Sequence, residues 1–474
     1  MSQLLLTLFC LFWAPAVLVA ASPDVAQRHK YKDGPHYIYR LYLTDKDNSP
    51  YSLEHPGRYL SHRSLERRRR QHLPLDSTDL PVSPRYVRQI GRGEVEVIGQ
   101  SRWMNTLLVR MRDSTIIRKL QALPFVKASK LVWLSPDSVI RTAERTKYHE
   151  QFDEHDRQPD NLYGRSYQQI HLLQGNRLHD IEMRGEGKMI AVIDGGFRNV
   201  DRIPAFQQVH IEGTRDFVTP PSPTLFAETD HGTKVLSAMA INQPFYYIGT
   251  APESSYWLLR SEDQQTEQEV EEDYWTMAAE FADSVGCDLI NSSLGYNEYD
   301  YPSMDHQLWH LDGRTAFISR AASLLAGKGI VLVNSAGNTG MGPWKKLTFP
   351  ADADHILTVG AIIPDEPRHV APFSSIGPSQ DGRVKPDIVA VGAPAYLVNA
   401  RGVIMQDMGT SFAAPIVCGL AACLWEALPE LTAQQLIDLI RQTGNQREHP
   451  NNIYGYGTPN FWRAYMLGKM RNEK

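Results

Sequence analysis

From residue 188 onward the chain keeps returning to short, largely apolar runs that do not alternate with polar residues: Lys188–Ile193, Tyr256–Arg260, Asp288–Ser293, Ile330–Asn334, Ile356–Ala361 and Ile388–Val391. A strand with one wet face alternates, so runs without alternation predict strands buried on both faces. Between them the spacing becomes helical. Thr266–Glu269 has the pattern of a capping box, opening a helix with Val270, Tyr274, Ala278, Phe281 and Val285 on its apolar face and Gly286 at its end. Ala316–Ala326 and Phe412–Trp425 read as helices, and Thr432–Gln435 is a second capping box, opening a helix to Thr443. Buried strands alternating with helices point to an α/β fold of three layers, a parallel sheet with helices on both faces.

The first third of the chain has a different pattern. Residues 1–21 hold an apolar block followed by Ala20, Ala21 and Ser22, the composition of a secretory signal peptide cut near Ala21. Residues 22–134 read as a small α+β unit, with strands at His36–Leu43, Val95–Ile98, Thr106–Met111 and Lys130–Leu134 and a helix over Tyr59–Arg70. Arg67 to Arg70 close that helix; a solvated helix end is expected, with a processing site as the second reading. Residues 135–162 are rich in Asp, Glu, Arg, His, Gln and Pro and read as an exposed linker carrying a processing site. Residues 163–474 make the larger unit.

A length of 474 residues accommodates these two units. The net charge of −5 argues against a nucleic-acid partner. No internal apolar run has membrane-spanning length, so no membrane contact is expected once the signal is removed. Cys287, Cys418 and Cys423, which follow the signal segment, have apolar neighbours and read as core side chains.

Functional groups of such sheets gather beyond the carboxyl ends of the strands. Asp194 closes an apolar strand and is followed by Gly195 and Gly196. Asp230-His231-Gly232-Thr233 precedes the apolar helix Val235–Ala240, and Asn338 follows the strand Ile330–Asn334. Gly409-Thr410-Ser411-Phe412-Ala413-Ala414-Pro415 puts a serine at the start of a buried helix, with Pro415 in its first turn. Backbone N–H groups there lack partners and favour developing negative charge. A hydroxyl so placed attacks a carbonyl if an imidazole takes its proton. Singly, each is as readily a turn residue or a helix cap. Together they run Asp, His, Ser, one of three chain orders that build the same serine-hydrolase constellation.

On these motifs the sequence resembles the subtilisin-like serine proteases, the subtilases of peptidase family S8, and among them the secreted bacterial type with an N-terminal pro-region. Ile193-Asp194-Gly195-Gly196 is similar to the aspartate motif, His231-Gly232-Thr233 to the histidine motif and Gly409–Pro415 to the serine motif. Asn338 matches the oxyanion asparagine, and Ser293-Leu294-Gly295 resembles the segment that pairs with substrate backbone. The likeness runs from about Tyr163 to about Ala464, with one departure: Gly195 stands where Ser or Thr is usual.

The resemblance implies a subtilisin-like catalytic domain in which Asp194, His231 and Ser411 are catalytic. The Asn338 amide and the Ser411 N–H would form the oxyanion hole, and Ser293, Leu294 and Gly295 would bind substrate. It further implies a monomeric secreted or periplasmic endopeptidase acting on polypeptides, with its own pro-region as intramolecular inhibitor. No cofactor is required for the chemistry. Structural calcium is common in the family, with no residue assigned to it here. The spaced pair His306 and His310 is expected at the surface, and Asp352 and Asp354 are expected to be solvated, so no metal residue is named. The alternative is a catalytically silent subtilase fold that binds peptides or a protein; a silent fold need not keep all four polar residues.

Overall fold

A computed structural model describes residues 36–135, 145–218 and 225–472. The signal-peptide segment and part of the expected linker lie outside the described residues.

The N-terminal unit is a four-stranded antiparallel sheet. Its strands are β1 (Tyr37–Leu43), β2 (Glu96–Ser101), β3 (Thr106–Met111) and β4 (Val126–Leu134), in the order β2-β3-β1-β4. Helix α1 (His62–Arg70) crosses between β1 and β2. Side chains alternate across a strand, and β1 serves two cores. Leu41 and Leu43 pack under the unit's own helices with Tyr86 and Phe125. Ile38 points the other way and joins Trp103, Val132 and Trp133 in a core shared with the larger unit.

The larger sheet is built from β5 (Met189–Asp194), β6 (His210–Asp216), β7 (Ser255–Arg260), β8 (Leu289–Ser292), β9 (Val331–Ser335), β10 (Leu357–Ile363), β11 (His369–Val370) and β12 (Ile388–Val391). The order is β11-β10-β9-β8-β5-β7-β6, with β12 also paired to β10. All pairings are parallel except β10 with β11. Ile190 and Val192 face a core made with α2 (His231–Ala240) and α5 (Thr410–Ala427). Met189, Ala191 and Ile193 face α3 (Val270–Val285) and α4 (Phe317–Leu324) on the opposite side. The N-terminal sheet stacks outside α3 as a further layer. Among the described residues, one helix, Thr410–Ala427, is long and apolar enough to cross a membrane, and 89% of it is buried inside the molecule. Cys287, Cys418 and Cys423 are buried and unbridged.

Three expectations change. The first capping box does not form: α3 begins at Val270, and the Thr266 hydroxyl donates to Asp263 and accepts from the Trp133 indole. The Glu269 carboxylate is drawn instead to Arg40 and Lys130 of the N-terminal unit. The second box, with no such competitors, forms between Thr432 and Gln435. The arginine run is a solvated helix end only at Arg69 and Arg70. Arg67 and Arg68 are buried and converge with Arg102 on the buried Asp283 of α3. Finally, His310 ends a 3-10 turn and His306 lies in the loop before it, buried with its Nε2 2.5 Å from Glu272.

Candidate active site

Alternation along β5 sends Asp194 to the α2 side of the sheet. Its carboxylate is fully buried, and the Gly195 N–H donates to Oδ1 at 2.8 Å. Arg260, at the paired end of β7, donates Nε to the Gly195 carbonyl at 3.1 Å and pairs with Asp216 at 2.9 Å. A side chain on Gly195 would run into Glu262 Oε2. At this departure from the family pattern the tip of the Glu262 side chain occupies the space beside Asp194.

His231 is the first residue of α2, and its Nδ1 lies 2.9 and 3.0 Å from the two Asp194 oxygens. The carboxylate accepts from Nδ1–H, which leaves Nε2 directed away from it. Lys234, one turn on, bonds Asp407 at 2.8 Å and ties α2 to the strand leading into Ser411. The His231 ring lies 5.7 Å from the Phe412 ring, beside Ser411. His231 and Ser411, both described, form no hydrogen bond to one another. The Ser411 hydroxyl instead donates to the Ser293 carbonyl at 3.2 Å.

Ser411 is the second residue of α5, where the backbone N–H has no intrahelical partner. Pro415 sits in the second turn rather than the first. A helical residue there would bond the carbonyl four residues back, that of Ser411, and proline cannot. The Ser293 hydroxyl donates to that carbonyl at 2.8 Å in its place. Ser293 and Ser411 are thus locked by two reciprocal bonds. Leu294 is buried, and Gly295 lies so close to Thr348 that any side chain would strike its hydroxyl.

Asn338 is exposed, and its Oδ1 accepts from both Thr410 N and Thr410 Oγ1 at 2.9 Å. Two donors on one oxygen assign the amide orientation and leave Nδ2 for the cleft. Thr410 Oγ1 also accepts from Gly337 N at 3.2 Å. Gly337 has φ +104, a conformation that favours glycine.

Burial opposes charge on His231, but Asp194 outweighs it and Glu262 adds to the pull, so its pKa rises to about 9. Burial first, and then the charge of Asp194, push Glu262 up to about 7.

Residues 185–457 match the family model for the subtilase family, and residues 38–151 match the peptidase S8 propeptide domain of Bacteroidota. The chain belongs to the subtilase family. This subtilase is a serine endopeptidase with an N-terminal propeptide domain. It is 26% identical over 299 residues to the thermostable alkaline protease of Halalkalibacterium halodurans, covering 62% of this chain and 72% of that protein. It is 27% identical over 282 residues to subtilisin DY of Bacillus licheniformis, covering 58% and 89%. It is 26% identical over 292 residues to subtilisin Savinase of Lederbergia lenta, covering 61% and 95%.

In this subtilase the expected residues Asp194, His231, Ser293 and Ser411 meet beyond the carboxyl ends of the central strands β5 and β8, and Asn338 joins them through Thr410. Sequence reasoning missed the roles of Thr410, Arg260 and Glu262. Thr410 stood inside the serine motif, adjacent to Ser411, and that position was the available signal. Asp352 is not solvated: it is buried and accepts from Gly313 N at 2.7 Å and Ser319 Oγ at 2.5 Å, a loop clasp.

Proposed function

We propose that this subtilase is a secreted or periplasmic endopeptidase that cleaves peptide bonds through Asp194, His231 and Ser411 by way of an acyl-enzyme. The carrying observation is the paired arrangement of His231 Nδ1 on the buried Asp194 beside a serine at a helix start. When a peptide carbonyl enters, Ser411 Oγ turns from the Ser293 carbonyl to the carbonyl carbon. An O–C bond forms as the Oγ proton passes to His231 Nε2. Asp194 steadies the imidazolium and stays ionised. The Asn338 Nδ2–H and the Ser411 N–H receive the oxyanion. The C–N bond then breaks, the leaving amine takes the proton from His231, and water hydrolyses the ester by the same steps in reverse. Ser293, Leu294 and Gly295 would border the acyl side of the substrate. The chemistry needs no cofactor.

Residues 22–134 would act as the pro-region, which inhibits in place, and residues 163–474 as the catalytic domain, working as a monomer. The processing cut belongs between about Trp133 and about Tyr163. Leu134 still pairs with Tyr37, and the Ser135 hydroxyl accepts from His36 N, whereas His149 N already donates to Arg401 O in the larger unit. A cut between Ser135 and Arg145 would leave both sets of bonds intact. N-terminal sequencing of secreted wild type and Ser411→Ala protein tests this. A new N-terminus in that interval, absent from the Ser411→Ala chain, is the expected result; a mature chain still beginning near Ser22 contradicts it.

A further inference from the structure

We propose that Thr348 closes the space beside Ser411 and limits this endopeptidase to peptide bonds whose acyl-side residue is small, Ala or Ser, a specificity that rests on the endopeptidase reading of the site. In that reading the attacked carbonyl is held at Ser411 and Asn338. The side chain on the residue carrying it has to enter between two backbone segments. These are Ser293-Leu294-Gly295 at the end of β8 and Ala336-Gly337-Asn338 at the end of β9.

That space is already occupied. A Cβ on Gly295 would collide with Thr348 Oγ1 and come within 2.9 Å of Thr348 Cβ. A Cβ on Gly337 would lie 2.6 Å from the same Oγ1 and 2.9 Å from Thr348 Cγ2. The two segments face one another across a single threonine. Both branches of its Cβ stand in the gap, so exchanging them by rotation does not clear it. The backbone is equally fixed. Thr348 N donates to the Ala336 carbonyl at 3.2 Å, and Phe349 exchanges two backbone hydrogen bonds with Tyr296, each of 2.9 Å. Thr348 is thus pinned to both walls. Ser375 Oγ also crowds Gly337, 2.8 Å from where a Cβ would stand, and it accepts from Thr339 N at 3.1 Å. Gly295 is exposed, whereas Thr348 is buried. The opening at Gly295 therefore ends at the threonine, a shallow recess rather than a deep pocket.

An Ala side chain stops at Cβ, and Ser adds one atom. Leu, Met or Phe would have to displace Thr348 or lift the carbonyl away from Asn338 and Ser411. A single surplus methylene already changes kcat/KM by about 10–200-fold. The chemistry of the floor adds to the selection. Thr348 Oγ1 is buried without a hydrogen-bond partner, a costly state for a hydroxyl. A serine hydroxyl on the substrate completes it, so Ser should be preferred to Ala. Within the interval assigned to the processing cut, Ser135, Ser138 and Ala143 are small residues of this kind.

The test uses processed enzyme and internally quenched peptides that differ at one residue, Ala, Ser, Leu or Phe. The cut is located by mass spectrometry, and Ser411 is labelled in parallel with a fluorophosphonate. Parent kcat/KM should be at least about tenfold higher after Ala and Ser than after Leu and Phe. The autocatalytic cut should fall after Ser135, Ser138 or Ala143. Thr348→Gly should raise kcat/KM for Phe relative to Ala at least about tenfold. Thr348→Ala should do the same for Leu, and serves if the glycine variant fails to fold. Thr348→Val should keep the exclusion of Phe and lose the preference for Ser over Ala. A parent that labels on Ser411 yet cleaves after Leu or Phe as fast as after Ala overturns the inference and leaves the endopeptidase reading standing. Parental selectivity in Thr348→Gly or Thr348→Ala, or an autocatalytic cut after Ile140 or Arg141, overturns it in the same way. A processed chain that takes no label and cleaves none of the peptides overturns both.

Discussion

At the cleft one buried carboxylate, Asp194, faces one imidazole. On the opposite side of the same sheet one buried carboxylate, Asp283, faces the guanidiniums of Arg67, Arg68 and Arg102. Both are fully buried acids with opposite sign partners, yet they are built for different ends. At the cleft the balance of burial against Asp194, with Glu262 adding to its pull, leaves a proton on His231 that can leave, with a pKa of about 9. At the propeptide interface burial resists the charge on Asp283, but three arginines outweigh it and hold its pKa down to about 2. Asp283 therefore keeps its charge through neutrality. A sparse pair can exchange protons; a surplus of fixed donors can only hold two units together. Breaking a buried pair is far more damaging than never having had it, because the survivors are left charged and dry.

The comparison is broken most sharply at Ser411. Ser411→Ala should lower kcat by about 10⁶-fold while leaving the melting temperature of the full-length chain within a few degrees; peptide hydrolysis and calorimetry read the two. Asp194→Asn should cost about 10⁴-fold in kcat by presenting the wrong imidazole tautomer. Asp283→Ala should do the reverse. It strands three buried arginines and should cost about 3–5 kcal/mol in the denaturant unfolding of the full-length chain, with no effect on the kcat of processed enzyme that has folded.

A smaller effect is expected at the amide. Asn338→Leu should lower kcat by about 10²–10³-fold with little change in KM, since an oxyanion donor acts on the transition state. Thr410→Val, which removes one of the two donors on Asn338 Oδ1, should cost about tenfold in kcat, or about 1.4 kcal/mol.

The pH dependence of the two regions should have opposite sign. With the neutral imidazole acting as base, as proposed, kcat/KM should rise with pH up to and through about 9, and Asp194→Asn should move that limb down. The raised His231 value also means that its contribution to stability is complete below the ordinary histidine range near 6.5 and is lost as pH rises through about 9. Asp283 has a depressed value, so its contribution is present above the ordinary aspartate range near 4 and is lost as pH falls through about 2. Unfolding free energies across pH for the parent, Asp194→Asn and Asp283→Asn separate the two.

What the sequence discloses follows the same division. The strands of the large sheet are legible because burial on both faces removes alternation, and six apolar runs mark six strands. Strand β6 escapes notice because it is an edge strand with exposed residues such as His210, Arg215 and Thr214 among its seven. The cleft is legible because its chemistry demands fixed residue types next to glycines and helix starts. The interface is illegible because its meaning lies in distant pairs: Arg67 reads as solvated until Asp283, 216 positions on, is brought beside it. Thr266 misleads for the same reason, since Trp133, 133 positions earlier, claims its hydroxyl.

The most direct measurement is covalent labelling of the processed enzyme by a fluorophosphonate probe, with the modified peptide mapped by mass spectrometry. The account predicts one label, on Ser411, abolished in His231→Ala and retained in Asp283→Asn enzyme that has folded and been processed. Processed wild-type protein that takes no label, or takes it on another serine, would contradict it.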